Sequence, residues 1–456
     1  MIKKNEKYIV DIIDNGTDGE GIAKIEDFTV FIPGAIKGEQ IEILIIKVLT
    51  TYGYGKIIKI ISKSPYREEP ECTTYVRCGG CNMQHMNYEK TLQVKKEKVQ
   101  NLVNKELNTK VEVKDVLGMG NPYFYRNKAQ FPVGIDKNGE PQIGIFANRS
   151  HEIIPINQCL IQNKDIQEIA KFIFYIIKRE KISIYNEKTG KGLIRHIVVK
   201  IGINTNEVMC ILVINGEKLQ YQEKIVNEII NKYENVKSII INKNKKNTNV
   251  ILGKENICIY GKENISDILG EYTFKISPLS FYQVNPVQAE ALYNIGLENA
   301  NIQSNDIVFD LYCGIGTISI FAAKYAKEVY GIEIVEEAIE NAKENAKINN
   351  VKNIHFFAGD VQDVLDKLIN EQKIVPNVVI FDPPRKGLDK KSIENILKVL
   401  PSKIVYISCN PATLIRDISA IEDVYDVKFI KPVDLFPWTS HVECVSVLEL
   451  KESTEK

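Results

Sequence analysis

The residues best suited to chemistry gather in the last third of the chain. Ser408-Cys409-Asn410-Pro411 follows the apolar run Ile404–Ile407. A structural cysteine belongs inside an apolar period. Cys409 instead falls where a strand ends and proline turns the chain, so its thiol is free to act as a nucleophile. Farther on, His441-Val442-Glu443 follows Phe436-Pro437-Trp438-Thr439-Ser440. Glu443 is the candidate general base, because a carboxylate in a partly dry pocket takes up protons near neutral pH. His441 can orient Glu443 or a substrate. A thiol and a base together can add to an electron-poor ring carbon and then strip a proton from the carbon beside it.

A cofactor loop precedes them. Asp310-Leu311-Tyr312-Cys313-Gly314-Ile315-Gly316-Thr317 follows a strand-like run and opens a helix-like one. Its glycines allow a tight turn and close backbone approach to a ligand. Glu333 comes 17 residues after Gly316, at the end of the next strand, where a carboxylate can accept both ribose hydroxyls of a nucleoside. A dinucleotide site wants a third glycine or alanine, and here Ser319 stands in its place. With no phosphates to cradle, S-adenosylmethionine fits better than NAD. Asp360 and Asp382 end later strands, the first facing the adenine side and the second opening Asp382-Pro383-Pro384-Arg385. Similar loops also hold planar nitrogens, so this motif alone does not choose the acceptor atom. The thiol and the base do. C5 of uracil is a poor nucleophile toward a sulfonium methyl; addition of a thiolate to C6 makes C5 carbanion-like, and a base must take the C5 proton before the thiolate leaves.

Nine cysteines, an odd count without an export signal, argue against a disulfide framework. Cys72, Cys78 and Cys81 fall within ten residues, in Cys-x5-Cys-Gly-Gly-Cys, and Cys159 lies farther on. Four thiolates can hold Zn²⁺ or an iron–sulfur cluster. A zinc ribbon shows two C-x2-C knuckles, and only one is present here. Cys210 and Cys258 lie in apolar runs and read as core.

Three kinds of element must position these groups. Residues 1–62 read as short strands (Tyr8–Ile13, Gly19–Lys24, Thr29–Ile32, Gln40–Val48, Gly55–Ser62) with glycine-rich turns, an OB-like barrel. Residues 63–275 hold the cysteine loop, a polar helix over Tyr88–Glu106 and α+β stretches. From 276 to 456 apolar strands alternate with helices, among them Ile307–Leu311, Glu328–Ile332, Glu336–Asn349, Val378–Phe381 and Ile404–Ile407. That rhythm predicts a mostly parallel sheet with helices on both faces. The fold class is therefore α/β, a Rossmann-like domain behind a barrel and a central α+β domain. At 456 residues two or three domains are expected. No apolar run spans a bilayer and no signal core opens the chain, which points to the cytoplasm. Net charge is zero, yet Ile61–Gln130 carries twelve Lys/Arg against eight Asp/Glu. Arg126, Lys128, Tyr123, Tyr125 and Arg195-His196 mix basic and aromatic groups as binders of single-stranded nucleic acid do.

Phe281-Tyr282-Gln283-Val284-Asn285-Pro286, Asp310–Thr317, Asp382–Arg385, Ser408–Pro411 and His441–Glu443 occur in the order seen in the RNA 5-methyluridine methyltransferase family, which this chain resembles. The resemblance implies a class I methyltransferase domain, cofactor contacts from Gln283, Tyr312, Glu333 and Asp382, Cys409 as nucleophile and Glu443 as base. The cysteine loop with Met83-Gln84-His85, then Tyr125–Gln130, looks like the ribosomal-RNA branch, and the barrel resembles its TRAM domain. In that branch Cys72, Cys78, Cys81 and Cys159 would hold a [4Fe–4S] cluster, in preference to zinc. The expected substrate is a single-stranded loop of 23S rRNA, whose base must be extruded to reach Cys409, and the expected state is a monomer. The same chemistry on tRNA is the alternative. An inactive RNA-binding assembly factor is a further one, against which both Cys409 and Glu443 are present.

Overall fold

The computed structural model describes residues 2–148 and 150–452. The N-terminal sheet has six strands, in the hydrogen-bonded order Lys7–Asp11, Gln40–Val48, Tyr52–Ser62, Phe28–Ile32, Gly21–Ile25, Asp14–Asn15. Its two outermost strands are consecutive in sequence. Between them Ile12 N donates to Glu39 O and Ile13 N to Ile22 O, both at 2.8 Å, so the sheet closes on itself. Alternate residues Ile41, Ile43 and Ile45 point inward with Val10, Ala23, Val30 and Ile32. This is the period-two pattern that the sequence shows.

The central sheet runs Glu255–Gly261, Val236–Lys243, Val208–Ile214, Ile194–Ile201, Lys128–Ile135, Pro141–Phe146, Ile153–Pro155. Helices Lys164–Arg179 and Gln222–Lys232 cover one face, where Ile169, Ile173 and Ile225 meet Val199, Cys210 and Leu212. On the other face Val198, Ile211 and Ile240 share a core with Leu292, Val405 and Val445 of the C-terminal unit. Coverage on both faces explains why Ile194–Ile201 and Val208–Ile214 are apolar and buried almost throughout, without alternation. Cys210 lies in this core, as expected, whereas Cys258 is only half-buried.

The C-terminal sheet is ordered Ile354–Ala358, Glu328–Glu333, Ile307–Leu311, Val378–Phe381, Lys403–Ser408, Glu443–Leu450, Tyr425–Val433. The first five strands pair in parallel and the last two antiparallel. This is the expected α/β architecture. The polar helix Tyr88–Glu106, capped by Asn87 accepting from Lys90 N, packs here: its Val99 and Val103 join Leu414, Ile418 and Ile430. Val113 and Leu117 then bridge to the edge strand Tyr425–Val433, so residues 88–117 lean on the C-terminal sheet. No helix among the described residues is long and apolar enough to cross a membrane.

Candidate active site

Strand order reverses at Ile307–Leu311, with Glu328–Glu333 on one side and Val378–Phe381 on the other. Ligands of open α/β sheets bind beyond the carboxyl ends of the strands at such a point. The loop after Leu311 turns sharply: Tyr312, Gly314 and Gly316 all have positive φ, and helix Thr317–Ala323 starts at once. A Cβ on Gly316 would stand 2.8 Å from the Phe356 ring and 3.0 Å from Ala342, so only glycine fits. A Cβ on Gly314 would meet nothing within 4 Å, which leaves room for a ligand above that backbone. Glu333 closes the loop from the neighbouring strand, its Oε2 accepting from Gly314 N at 3.2 Å and its Oε1 from Val335 N at 3.0 Å. Asp360 caps helix Val361–Asp366 through Gln362 N.

Carboxylates crowd the floor of this crevice. Asp310 is fully buried, accepts from Ser319 Oγ at 2.5 Å through Oδ2 and leaves Oδ1 without a partner. Burial pushes its pKa up to about 7. Asp382 is likewise pushed up to about 7, by burial and by the charge of Asp310. Burial and then Asp382 hold Glu443 well above the usual carboxylate range, with the Arg385 guanidinium opposing. An acidic, poorly hydrated pocket of this kind favours a cation, and the sulfonium of S-adenosylmethionine is one.

The nucleophile and base candidates meet by register. Strands Lys403–Ser408 and Glu443–Leu450 are antiparallel, with Ser408 opposite Cys444. Cys409 follows Ser408 and Glu443 precedes Cys444, so both lie at this end of the strand pair, and Glu443 is near enough for its charge to act on the Cys409 thiol. Burial and the charge of Glu443 push the Cys409 thiol up to about 11, while Arg385 pulls it down. Arg385 is fixed by its own backbone: its carbonyl accepts from Asn410 Nδ2 at 3.0 Å, and Asn410 Oδ1 caps helix Pro411–Ser419. Thus Asp382–Arg385 and Ser408–Pro411 form one tied unit. Because Glu443–Leu450 is interior, Glu443 is buried.

The remaining candidates fall around this centre. Gln283 faces the Tyr293 hydroxyl, and Tyr293 in turn lies within range of Asp382 and Glu443. The segment holding Gln283 is fastened by Asn127 Nδ2 to Gln283 O at 2.9 Å and by Asn285 Nδ2 to Leu435 O at 3.0 Å. The Tyr312 side chain turns toward Ser392 and Asp389. His441 is exposed, rests edge-on against Phe436 and makes no side-chain hydrogen bond to Glu443. Asp310 and Arg385 were visible in the sequence only as motif members without a role, and Tyr293 gave no signal at all.

Cys72, Cys78, Cys81 and Cys159 line one cavity of about 290 Å³, together with Arg126 and Lys128. Burial and the neighbouring thiols raise Cys78 and Cys81, and burial raises Cys159, a pattern that an enclosed cation would reverse. Among the described residues no three His, Cys, Asp or Glu side chains are close enough to hold a single metal ion. Zinc needs four sulfurs about 2.3 Å from one point. Four thiols on one cavity are the kind of donor a thiolate-bound group would use. Of the RNA-contact candidates, Tyr125 is buried and donates to Pro437 O at 3.2 Å. Arg195 is buried too, its Nη1 donating to the carbonyls of Asn244 and Lys246 and its guanidinium set over the Tyr185 ring. Both hold the fold.

Residues 87–451 match the model of the tRNA (uracil-5-)-methyltransferase family, and residues 3–58 match the TRAM domain. The chain belongs to the tRNA (uracil-5-)-methyltransferase family. An uncharacterized RNA methyltransferase of Clostridium tetani is 47% identical over 448 residues, 98% of this chain and 97% of the relative. One of Staphylococcus aureus strain MSSA476 is 44% identical over 451 residues, 99% of both. Among solved structures, the Pyrococcus abyssi tRNA (uracil-54, C5)-methyltransferase in complex with S-adenosyl-L-homocysteine superposes with a TM-score of 0.77 at 28% identity, covering 97% of this chain and 100% of that one. This RNA uracil-5-methyltransferase thus uses S-adenosylmethionine, and its TRAM barrel and family membership make RNA its substrate.

Proposed function

We propose that this enzyme methylates C5 of a specific uridine in 23S rRNA, acting as a cytoplasmic monomer. The observation that supports the chemistry best is that Cys409 and Glu443 lie at one end of the same strand pair, within electrostatic range of each other and of Asp382 and Arg385. S-adenosylmethionine supplies an electrophilic methyl group when bound. Gln283, Tyr312, Glu333 and Asp382 hold it, with Glu333 taking the ribose and Asp382 the reacting end. Arg385 favours the thiolate of Cys409, which adds to C6 of the extruded uracil and raises electron density at C5. After C5 is methylated, Glu443 takes the C5 proton; that bonding pair restores C5=C6, and the C6–S bond breaks back to Cys409.

The division proposed is a TRAM barrel over 1–62, a central RNA-binding region over 63–275 and a methyltransferase domain over 276–456. Cys72, Cys78, Cys81 and Cys159 would hold a [4Fe–4S] cluster whose part is to brace the loop and shape the RNA surface. The cysteine loop together with the barrel favours rRNA. The similarity to the Pyrococcus abyssi enzyme, which acts on uracil-54 of tRNA, favours tRNA as the second reading. Nucleoside mass spectrometry of 23S rRNA and tRNA from a deletion strain decides: 5-methyluridine missing from 23S rRNA is expected, and its loss from tRNA alone would replace the first reading by the second.

A further inference from the structure

Glu443 is entered through Trp438–Val442, and this segment is gripped by the residues that follow the last cysteine of the cysteine loop. Asn82 N and Met83 N both donate to Trp438 O at 3.1 Å. Asn82 Oδ1 accepts from Ser440 N at 2.8 Å, and Asn82 Nδ2 donates to Ser440 Oγ at 3.0 Å and to Asp18 O at 2.6 Å. One amide side chain therefore joins the barrel to the approach to the base. Trp438 has φ 67°, a left-handed conformation that costs a bulky residue energy and persists only where its surroundings impose it. Lys98 Nζ adds a second tie, to Ser440 O at 3.1 Å and Thr17 O at 2.8 Å.

Asn82 differs from its neighbours. Met83 is fully buried with Ile36, Met86 and Val94 and holds the fold, whereas the Asn82 residue is exposed. An exposed amide that spends its bonding capacity on the backbone three residues ahead of Glu443 has little to do with core packing. Cys409 hangs from the end of a different strand, where its neighbour Asn410 donates to Arg385 O at 3.0 Å.

We propose that Asn82 is a positioning residue for the proton-removal step, fixing the backbone that delivers Glu443. This rests on Glu443 being the base. In the adduct C6 is bonded to Sγ of Cys409 and C5 carries both the new methyl and a hydrogen. Glu443 takes that hydrogen as a proton, the C–H pair becomes C5=C6, the C6–S pair returns to sulfur, and the proton leaves Glu443 for solvent. With Asn82 removed, addition and methylation proceed, but release is slow.

The test uses the full-length enzyme and total RNA from a deletion strain, which lacks the modification. In Asn82→Ala, kcat should fall about 10- to 100-fold, the scale of loss from an ångström of misplacement. The KM for RNA should fall in step with kcat, because committed adduct accumulates ahead of a slowed release, and a methylated protein–RNA adduct that survives denaturation should build up. Misfolding cannot raise that adduct fraction. Glu443→Gln serves as comparator and should trap the same species. Wild-type turnover in Asn82→Ala, or a raised KM without adduct, overturns the proposal while leaving Glu443 as base. Absence of adduct in Glu443→Gln removes the base assignment and the proposal with it.

Discussion

Lys95 Nζ lies 2.5 Å from Asp434 Oδ1, and the two side chains are 1% and 0% exposed. Burial lowers the Lys95 pKa and Asp434 opposes that shift, while Tyr88 donates to the second carboxylate oxygen at 2.8 Å. Lys95 also donates to Phe436 O, so the pair anchors the stretch leading to the active site. Lys95→Met leaves a buried carboxylate without its counter-ion and should cost about 3–5 kcal/mol. Urea denaturation measures it. A loss below about 1 kcal/mol would mean that water reaches the pair.

Cys409 is expected to form a trapped adduct with RNA containing 5-fluorouracil in the presence of S-adenosylmethionine, because fluorine at C5 cannot leave as a proton does. Denaturing gels should show a slowed band in wild type and none in Cys409→Ala. An active enzyme that gives no band would exclude covalent catalysis.

Cofactor affinity should depend on pH. Asp382 and Asp310, each near pH 7, are largely neutral at pH 6 and ionised by pH 8. The ionised carboxylates attract a sulfonium, so binding of S-adenosylmethionine should tighten as pH rises through 7 and then level off. S-adenosylhomocysteine, neutral at sulfur, should respond less. Calorimetry at fixed ionic strength compares the two slopes, and equal slopes would remove these carboxylates from recognition of the charged sulfur.

Protein purified without oxygen should be coloured and contain iron, and Cys78→Ser should lose both. Visible absorption and metal assay check this. Colourless protein with stoichiometric zinc would reverse the assignment of the four cysteines.

Local period made much of this molecule readable. The inward isoleucines of Gln40–Val48 and the helix Tyr88–Glu106 were legible at their observed bounds, as was the strand Ile307–Leu311. The motifs marked Cys409 and Glu443 because a strand end followed by Asn-Pro is a local signal. That these two residues come together at one end of a strand pair was not legible, since it depends on the antiparallel pairing of the last strands, absent from the βαβ rhythm. Nor could Asp14–Asn15 be told from the turn beside it: two residues carry no period, and only pairing with Gly21–Ile25 makes them a strand. Arg195 looked like a nucleic-acid contact because charge is visible in a sequence and its burial over Tyr185 is not.

Asn82 and Ser440 are 358 residues apart. A contact of that span forms only after the loop between has closed, and non-local closures come late in folding. During synthesis the cysteine loop and the barrel leave the ribosome long before the strand that bears Glu443. The nascent chain therefore holds half of its clamp while the other half does not yet exist. The clamp closes only when the C-terminal residues have been made and docked, so a truncated or stalled chain lacks both Glu443 and the segment that Asn82 holds.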